Sequence, residues 1–263
     1  MSKEKEGVRQ ILVVATSLCL VASVLVSGAA VLLRPAQQEN QALDRKRNIL
    51  DAAGLLTPGA DVNDLFQQVE PRVVDLDTGE FADVADAASY DQRQASRDPA
   101  ASIGLLSSED VAGIKRRANM ANVYLVRNDD GALRTVILPV HGYGLWSTMY
   151  AYLALAPDGS TVQGLKFYEQ AETPGLGAEV ANPQWLAQWE GKEVLDENGE
   201  PAIRLVKGGV QPGTSDAEHK VDALSGATLT GNGVNNMMQF WLGDKGFGPF
   251  LAKLRESGGE LSG

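Results

Sequence analysis

Val123-Tyr124-Leu125-Val126, Asn128-Asp129-Asp130-Gly131 and the apolar residues 133–140 follow one another near the middle of this chain of 263 residues. β-Branched and aromatic side chains favour strands, and a polar segment that ends in Asp-Gly favours a tight turn. The three pieces therefore predict a β-hairpin.

A second hairpin is predicted directly after the first one. Residues 149–155 and 161–168 are rich in strand-forming side chains, and Pro157-Asp158-Gly159 separates them with a turn. Strands joined mainly by hairpins form antiparallel sheets. Residues 202–206 predict a further strand pairing, and residues 72–76 a short strand-like piece.

Short helices are predicted at residues 109–117 and 183–189, between these strands. The fold class is therefore α+β: a single N-terminal transmembrane helix followed by an antiparallel sheet with flanking helices.

The transmembrane helix is predicted at residues 11–33, which contain no charged side chain. As a helix this run is about 34 Å long, and a bilayer core is ~30 Å thick. Lys3, Lys5 and Arg9 precede the run, so residues 1–10 are expected on the cytoplasmic side and the bulk of the chain outside. A cleaved signal peptide is the alternative, because Ser27-Gly28-Ala29 resembles a cleavage site.

Residues 34–101 are interpreted as a stalk and an acidic intermediate segment, and residues 102–263 as the globular domain. Leu43, Ile49 and Leu50 have polar neighbours, which predicts an amphipathic stalk helix over residues 39–56, before Thr57-Pro58.

Composition narrows the possible functions. The formal net charge of −11 opposes binding to the phosphate backbone of nucleic acids, so no nucleic-acid partner is expected. Cys19 is the single cysteine and lies inside the apolar run, and two histidines are too few for a histidine-rich metal site. Redox chemistry would need a bound cofactor.

Two short segments carry the chemistry. Asp222-Ala223-Leu224-Ser225-Gly226-Ala227-Thr228-Leu229-Thr230 places a threonine hydroxyl behind two small residues, where another macromolecule can approach and modify it. The structural alternative is a Ser/Thr-rich turn before the next helix, which is predicted to run to Leu242 with Thr230 or Asn232 as its N-cap. Met237, Met238 and Trp241 are expected in the core.

The other segment is Glu172-Thr173-Pro174-Gly175-Leu176-Gly177. Proline followed by glycine predicts a type II turn, which exposes backbone donors. An ordinary surface turn is the alternative reading.

The two segments together resemble the FMN-binding domain family, in which the threonine of Ser-Gly-Ala-Thr carries FMN through a phosphoester bond. The resemblance implies covalent FMN on Thr228. The cofactor-binding residues expected from it are Trp146, Glu172, Thr173, Leu176, Gly177, Lys207, Ser225, Gly226 and Ala227, with Thr228 as the attachment point.

Roles for several of these residues follow from flavin chemistry. The N–H groups near Leu176 and Gly177, with the Thr173 hydroxyl, are expected to meet polar atoms of the ring. The Gly142-Tyr143-Gly144 segment lacks the third glycine of a dinucleotide-binding loop, so it is interpreted as a loop near the ring. Trp146 then either packs on that ring or lies in the core.

Lys207 follows the predicted strand at residues 202–206 and would favour the anionic reduced flavin, whereas Glu172 would oppose this effect. A solvated lysine is the alternative for Lys207.

Across nearly its whole length the chain resembles the family of C subunits of sodium-translocating NADH:quinone oxidoreductases. This resemblance implies an electron relay in a complex of several proteins in the bacterial inner membrane, with the domain on the periplasmic side. The implied partners are other subunits, a flavin transferase and membrane lipid. The alternatives are the family of G subunits of Rnf electron-transport complexes, and an anchored sensory or structural domain without flavin.

Overall fold

The computed structural model describes residues 2–211 and 213–260, with side chains from residue 7 onward. It separates into two compact units, one up to Arg45 and the other from Lys46 onward. The helices are α1 (Ser2–Ala52), α2 (Val62–Phe66), α3 (Gln92–Ala95), α4 (Pro183–Leu186), α5 (Thr228–Leu242) and α6 (Gly248–Glu256). The strands are β1 (Val69–Asp75), β2 (Ser102–Gly104), β3 (Arg116–Ala118), β4 (Met120–Arg127), β5 (Leu133–Tyr143), β6 (Thr148–Leu155), β7 (Val162–Glu169), β8 (Arg204–Val206) and β9 (Lys220–Asp222).

Helix α1 contains the predicted apolar span. The part of α1 that begins at Gly7 contains an apolar stretch with a mean hydropathy of 2.4, and the helix is long enough to cross a membrane. The stalk residues continue in the same helix, which ends at Ala52 and not at the predicted residue 56. The Leu55 amide donates to the Leu50 carbonyl (2.8 Å) around Gly54, whose φ is +65°. This left-handed residue ends the helix because it reverses the backbone direction.

Five strands form the central sheet in the order β1-β4-β5-β6-β7, and all four pairings are antiparallel. Both predicted hairpins, β4–β5 and β6–β7, are confirmed. Runs of strand-forming side chains and turn residues were sufficient to predict them, because each pairing joins strands that are adjacent in sequence.

The globular domain was predicted to begin after residue 101, whereas the second compact unit of the structure begins at Lys46. Strand β1 lies at the edge of the central sheet, where Val73 pairs with Asn122 of β4. Val73 and Val74 are buried there. The segment predicted as intermediate therefore supplies one edge of the sheet, because the valines of β1 are buried when this strand pairs with β4.

The helix predicted at residues 109–117 is wrong. The Asp110 carboxylate instead accepts the amides of Ile114 (2.8 Å) and Lys115 (2.7 Å), and Lys115 has a φ of +65°. This side-chain capping favours a compact turn over helical hydrogen bonds. The helical prediction at residues 183–189 holds, as α4 followed by a 3₁₀ turn at Ala187–Trp189.

Strand β8 pairs with β9 in parallel, so the additional pairing predicted near residues 202–206 is not antiparallel. Helix α5 packs across β5, and Met237, Met238 and Trp241 are fully buried as predicted. Strand β9 leads directly to the amino end of α5, which positions the candidate site.

Candidate functional site

The Ser-Gly-Ala-Thr segment forms the entry to helix α5. Gly226 has a φ of +72°, Ala227 is the N-cap, and Thr228 is the first helical residue. Thr228 is exposed, whereas Ala227 is buried. The Thr228 hydroxyl therefore lies on the surface at the amino end of α5, where helical N–H groups and the helix dipole favour a negatively charged group.

Thr230 differs from Thr228, although only two residues separate them. It is 1% exposed, and its hydroxyl donates to Glu172 Oε2 over 2.6 Å. The prediction that Thr230 caps the helix is wrong, because Ala227 occupies the N-cap position and Thr230 points into the protein. Among these two threonines, Thr228 is the accessible nucleophile.

The Thr173–Leu176 segment forms the predicted turn. The Leu176 amide donates to the Thr173 carbonyl (3.1 Å), and Gly175, after Pro174, has a φ of +73°. These features define a type II turn. The Leu176 amide is therefore used within this turn, and the expected contact of the N–H groups near Leu176 and Gly177 with a ring stays a prediction.

The turn lies next to the attachment segment. A Cβ atom added to Gly226 would lie 3.1 Å from Leu176 Cδ2. The two motifs, about fifty residues apart in sequence, are therefore neighbours in the fold, as expected for residues of one site.

Glu172 organises the inner side of this site. It is 4% exposed, and its carboxylate accepts backbone amides from Leu145 (3.1 Å), Trp146 (2.9 Å) and Ser147 (3.3 Å). Burial would raise the pKa of Glu172, but these bonds and the one from Thr230 outweigh burial and hold the pKa below its ordinary value. Glu172 is thus a buried carboxylate that is fully engaged by protein donors.

Three glycines make this arrangement possible. A Cβ atom at Gly144 would lie 2.6 Å from Glu172 Oε1, and one at Gly177 would lie 2.5 Å from Thr230 Oγ1. A Cβ atom at Gly233 would lie 2.5 Å from the Tyr143 carbonyl. The interpretation of Gly142-Tyr143-Gly144 as a loop is wrong for Gly142 and Tyr143, which belong to β5; Gly144 makes room for Glu172.

Several apolar side chains on the segments of this site are exposed. Trp146 is 65% exposed, which excludes the core alternative, and its Nε1 donates to Thr173 Oγ1 over 3.1 Å. Leu145, Leu176 and Leu229 are also exposed. Exposed apolar side chains of this kind suit contact with a planar, partly apolar ring.

Lys207 is exposed at the end of β8. The Ala223 amide donates to the Val206 carbonyl (2.9 Å), which places Lys207 beside the chain that leads to Thr228. Of the predicted residues, Glu172, Thr173, Leu176, Gly177 and Trp146 share direct contacts, and Gly226 and Thr228 adjoin them. Sequence reasoning gave Thr230 and Gly144 other roles and missed their contacts with Glu172, for which the only local signals were the Thr-x-Thr spacing and a glycine-rich strand end.

Comparisons with known proteins agree with this geometry. Residues 144–243 match the FMN-binding domain family. The chain is 53% identical to the C subunit of the Na(+)-translocating NADH-quinone reductase of Vibrio campbellii, over 98% of this chain and 99% of the relative. It is 54% identical to the corresponding protein of Vibrio vulnificus strain YJ016, over 96% and 98% of the two chains. The crystal structure of Shewanella oneidensis NqrC superimposes with a TM-score of 0.76 at 41% identity, covering 83% of this chain and 99% of that one. The chain therefore belongs to the family of Na(+)-translocating NADH-quinone reductase C subunits.

Proposed function

We propose that this chain is a membrane-anchored flavoprotein subunit that carries FMN in phosphoester linkage to Thr228 and relays electrons within a Na(+)-translocating NADH-quinone reductase. Membership in the C-subunit family and the match to the FMN-binding domain support the subunit and its cofactor. When bound, FMN supplies electron-transfer chemistry that amino-acid side chains do not.

The contrast between the two threonines carries the proposal of covalent attachment. Thr228 presents its hydroxyl to solvent at the amino end of α5, whereas the Thr230 hydroxyl is buried and bonded to Glu172. A flavin transferase would reach the first hydroxyl and not the second. The Thr228 oxygen would lose its proton and form a P–O bond to the FMN phosphorus, while the bond from that phosphorus to the nucleoside monophosphate half of a flavin dinucleotide donor breaks and the nucleotide leaves. The helix N–H groups would stabilise the phosphate charge.

The remaining site residues would hold the ring. Leu145, Trp146 and Leu176 offer apolar contacts, and the Thr173 hydroxyl can meet a polar edge. Exposed Lys207 would favour negative charge on the flavin, while Gly226 and Ala227 allow close approach and Ser225 lies beside them.

Helix α1 supports a single-pass anchor among membrane lipids. The basic residues before the span support a cytoplasmic amino end, so the domain would lie in the periplasm of a bacterial cell. Other subunits of the complex would exchange electrons with the flavin there or at the membrane surface.

Mass spectrometry tests the attachment. The full chain is produced together with a flavin transferase, and the tryptic peptide of residues 221–245 is analysed. We expect an FMN adduct on Thr228, complete loss of the adduct in Thr228→Val, and retention in Thr230→Val. An adduct on Ser225 or Thr230 would contradict the assignment. No adduct in the unchanged chain would favour an anchored domain without covalent flavin.

A further inference from the structure

The carboxylate of Glu172 connects two parts of the site that are distant in sequence. Its Oε2 accepts the Thr230 hydroxyl over 2.6 Å, and its Oε1 accepts the Trp146 amide over 2.9 Å. Thr230 belongs to the first turn of α5, which also carries Thr228. Trp146 belongs to the segment between β5 and β6.

We propose that Glu172 and Thr230 are a positioning pair that fixes the attachment residue relative to the apolar side chains that hold the flavin ring. The proposal rests on the proposed function, because it concerns the orientation of a flavin attached to Thr228.

Helix geometry explains how Thr230 acts on Thr228. Successive residues of an α-helix are ~100° apart around its axis, so two residues are separated by ~200°. When Thr230 is directed inward to Glu172, Thr228 must face the opposite side. The hydrogen bond thereby sets the rotation of the first turn and keeps the Thr228 oxygen at the surface.

The carboxylate of Glu172 also positions the segment between β5 and β6, whose side chains are proposed to hold the ring. Three consecutive amides, those of Leu145, Trp146 and Ser147, converge on Glu172. This convergence fixes the backbone that displays the exposed Leu145 and Trp146 side chains. Trp146 is fixed a second time, by its bond to Thr173.

The pair sits in a space too tight for an alternative arrangement. Gly177 approaches both partners, since a Cβ atom there would lie 2.5 Å from Thr230 Oγ1 and 2.9 Å from Glu172 Oε2. Gly144 encloses Oε1 in the same way. Close packing of this kind gives one arrangement and resists small displacements.

Glu172 therefore acts on the flavin through other residues. Its oxygens already accept four backbone or hydroxyl donors, and it is 4% exposed. It is a positioning residue, in contrast to the direct flavin contact expected from the sequence.

The test uses the full chain in detergent, loaded by a flavin transferase, and compares Thr230→Val with Thr230→Ser. Valine keeps the branched shape of threonine and removes the hydroxyl, whereas serine keeps the hydroxyl. The readouts are the FMN adduct on Thr228 and the ellipticity of the visible flavin bands, which reports how rigidly the protein holds the ring. We expect both variants to carry the adduct, at least a twofold loss of ellipticity in Thr230→Val, and recovery in Thr230→Ser.

Thr135→Val is the matched control. Thr135 is also 1% exposed, and its hydroxyl donates to Gln163 Oε1 over the same 2.6 Å, outside the site. It should lose comparable stability and keep the full ellipticity. Equal ellipticity in Thr230→Val and the unchanged chain, or an equal loss in Thr135→Val, would overturn the proposal.

Thr230→Ala provides a second variant if the valine does not allow folding, because it removes the hydroxyl without a branched replacement. We expect the same loss of ellipticity, and full ellipticity would refute the positioning role. An unchanged chain without any adduct would instead refute the proposed covalent attachment, so the two failures are distinguishable.

Discussion

The two glycines of the Thr173–Gly177 turn should respond to alanine for different physical reasons. Gly175 has a φ of +73°, and a Cβ atom there would meet no atom within 4 Å. A left-handed backbone conformation destabilises the folded state by ~1–2 kcal/mol when the residue is alanine. Alanine also lowers the conformational entropy of the unfolded chain, which offsets ~0.4–1 kcal/mol of that loss. Gly175→Ala should therefore lower the free energy of unfolding by roughly 1 kcal/mol.

Gly177→Ala meets a steric obstacle instead. The new Cβ would lie 2.5 Å from Thr230 Oγ1, so the bond from Thr230 to Glu172 must open. Loss of a hydrogen bond to a charged group costs ~1.5–3 kcal/mol, and overpacking adds ~1–3 kcal/mol. Their sum predicts a loss of ~2.5–6 kcal/mol in the free energy of unfolding.

Urea unfolding of the full chain in detergent, followed by tryptophan fluorescence, measures both effects. Trp185, Trp189 and Trp241 are buried and report on the domain core. With a urea slope of ~2–3 kcal/mol/M, the midpoint should fall by ~1–3 M in Gly177→Ala and by about 0.5 M or less in Gly175→Ala. Thr230→Ala should reduce the cost of Gly177→Ala, because it removes the nearest atom. Equal midpoints for the two glycine variants would refute this reasoning.

Two further predictions concern acid stability and topology. Burial, with the Arg93 charge as a smaller cause, lowers the pKa of His141 to about 4 from 6.5. The unfolded chain then binds more protons between these values, so lowering the pH from 6.5 to 5 should cost about 1.5 kcal/mol of unfolding free energy. Urea midpoints should show this slope, and His141→Phe should remove it; an identical slope in the variant would contradict the assignment. For topology, carbonate-washed membranes should retain the full chain, and protease outside spheroplasts should digest the domain after Arg34. Protection of the domain would reverse the proposed orientation.

Local sequence was sufficient for the features that depend on neighbouring residues. The hairpins β4–β5 and β6–β7 follow from runs of strand-forming side chains and turn residues, and Pro174-Gly175 encodes its turn through the φ values that these residues favour. The apolar span was also predictable from local sequence, because its length and its lack of charged side chains define it. The two motifs also identified the family, since their side chains and glycines are tied to one cofactor chemistry.

The family motif separated Thr228 from Thr230 in the sequence, and only the tertiary structure gave the physical difference between them. Thr228 and Thr230 have the same side chain, but only the packing of α5 against Glu172, 58 residues from Thr230, buries one hydroxyl and exposes the other. The same reason applies to Gly177, which leaves space for that contact, and to β1, which needed β4 to become part of the sheet. Periodicity and turn propensity act within a few residues, whereas the burial and hydrogen-bond partner of a side chain depend on which distant segments the folded chain brings against it.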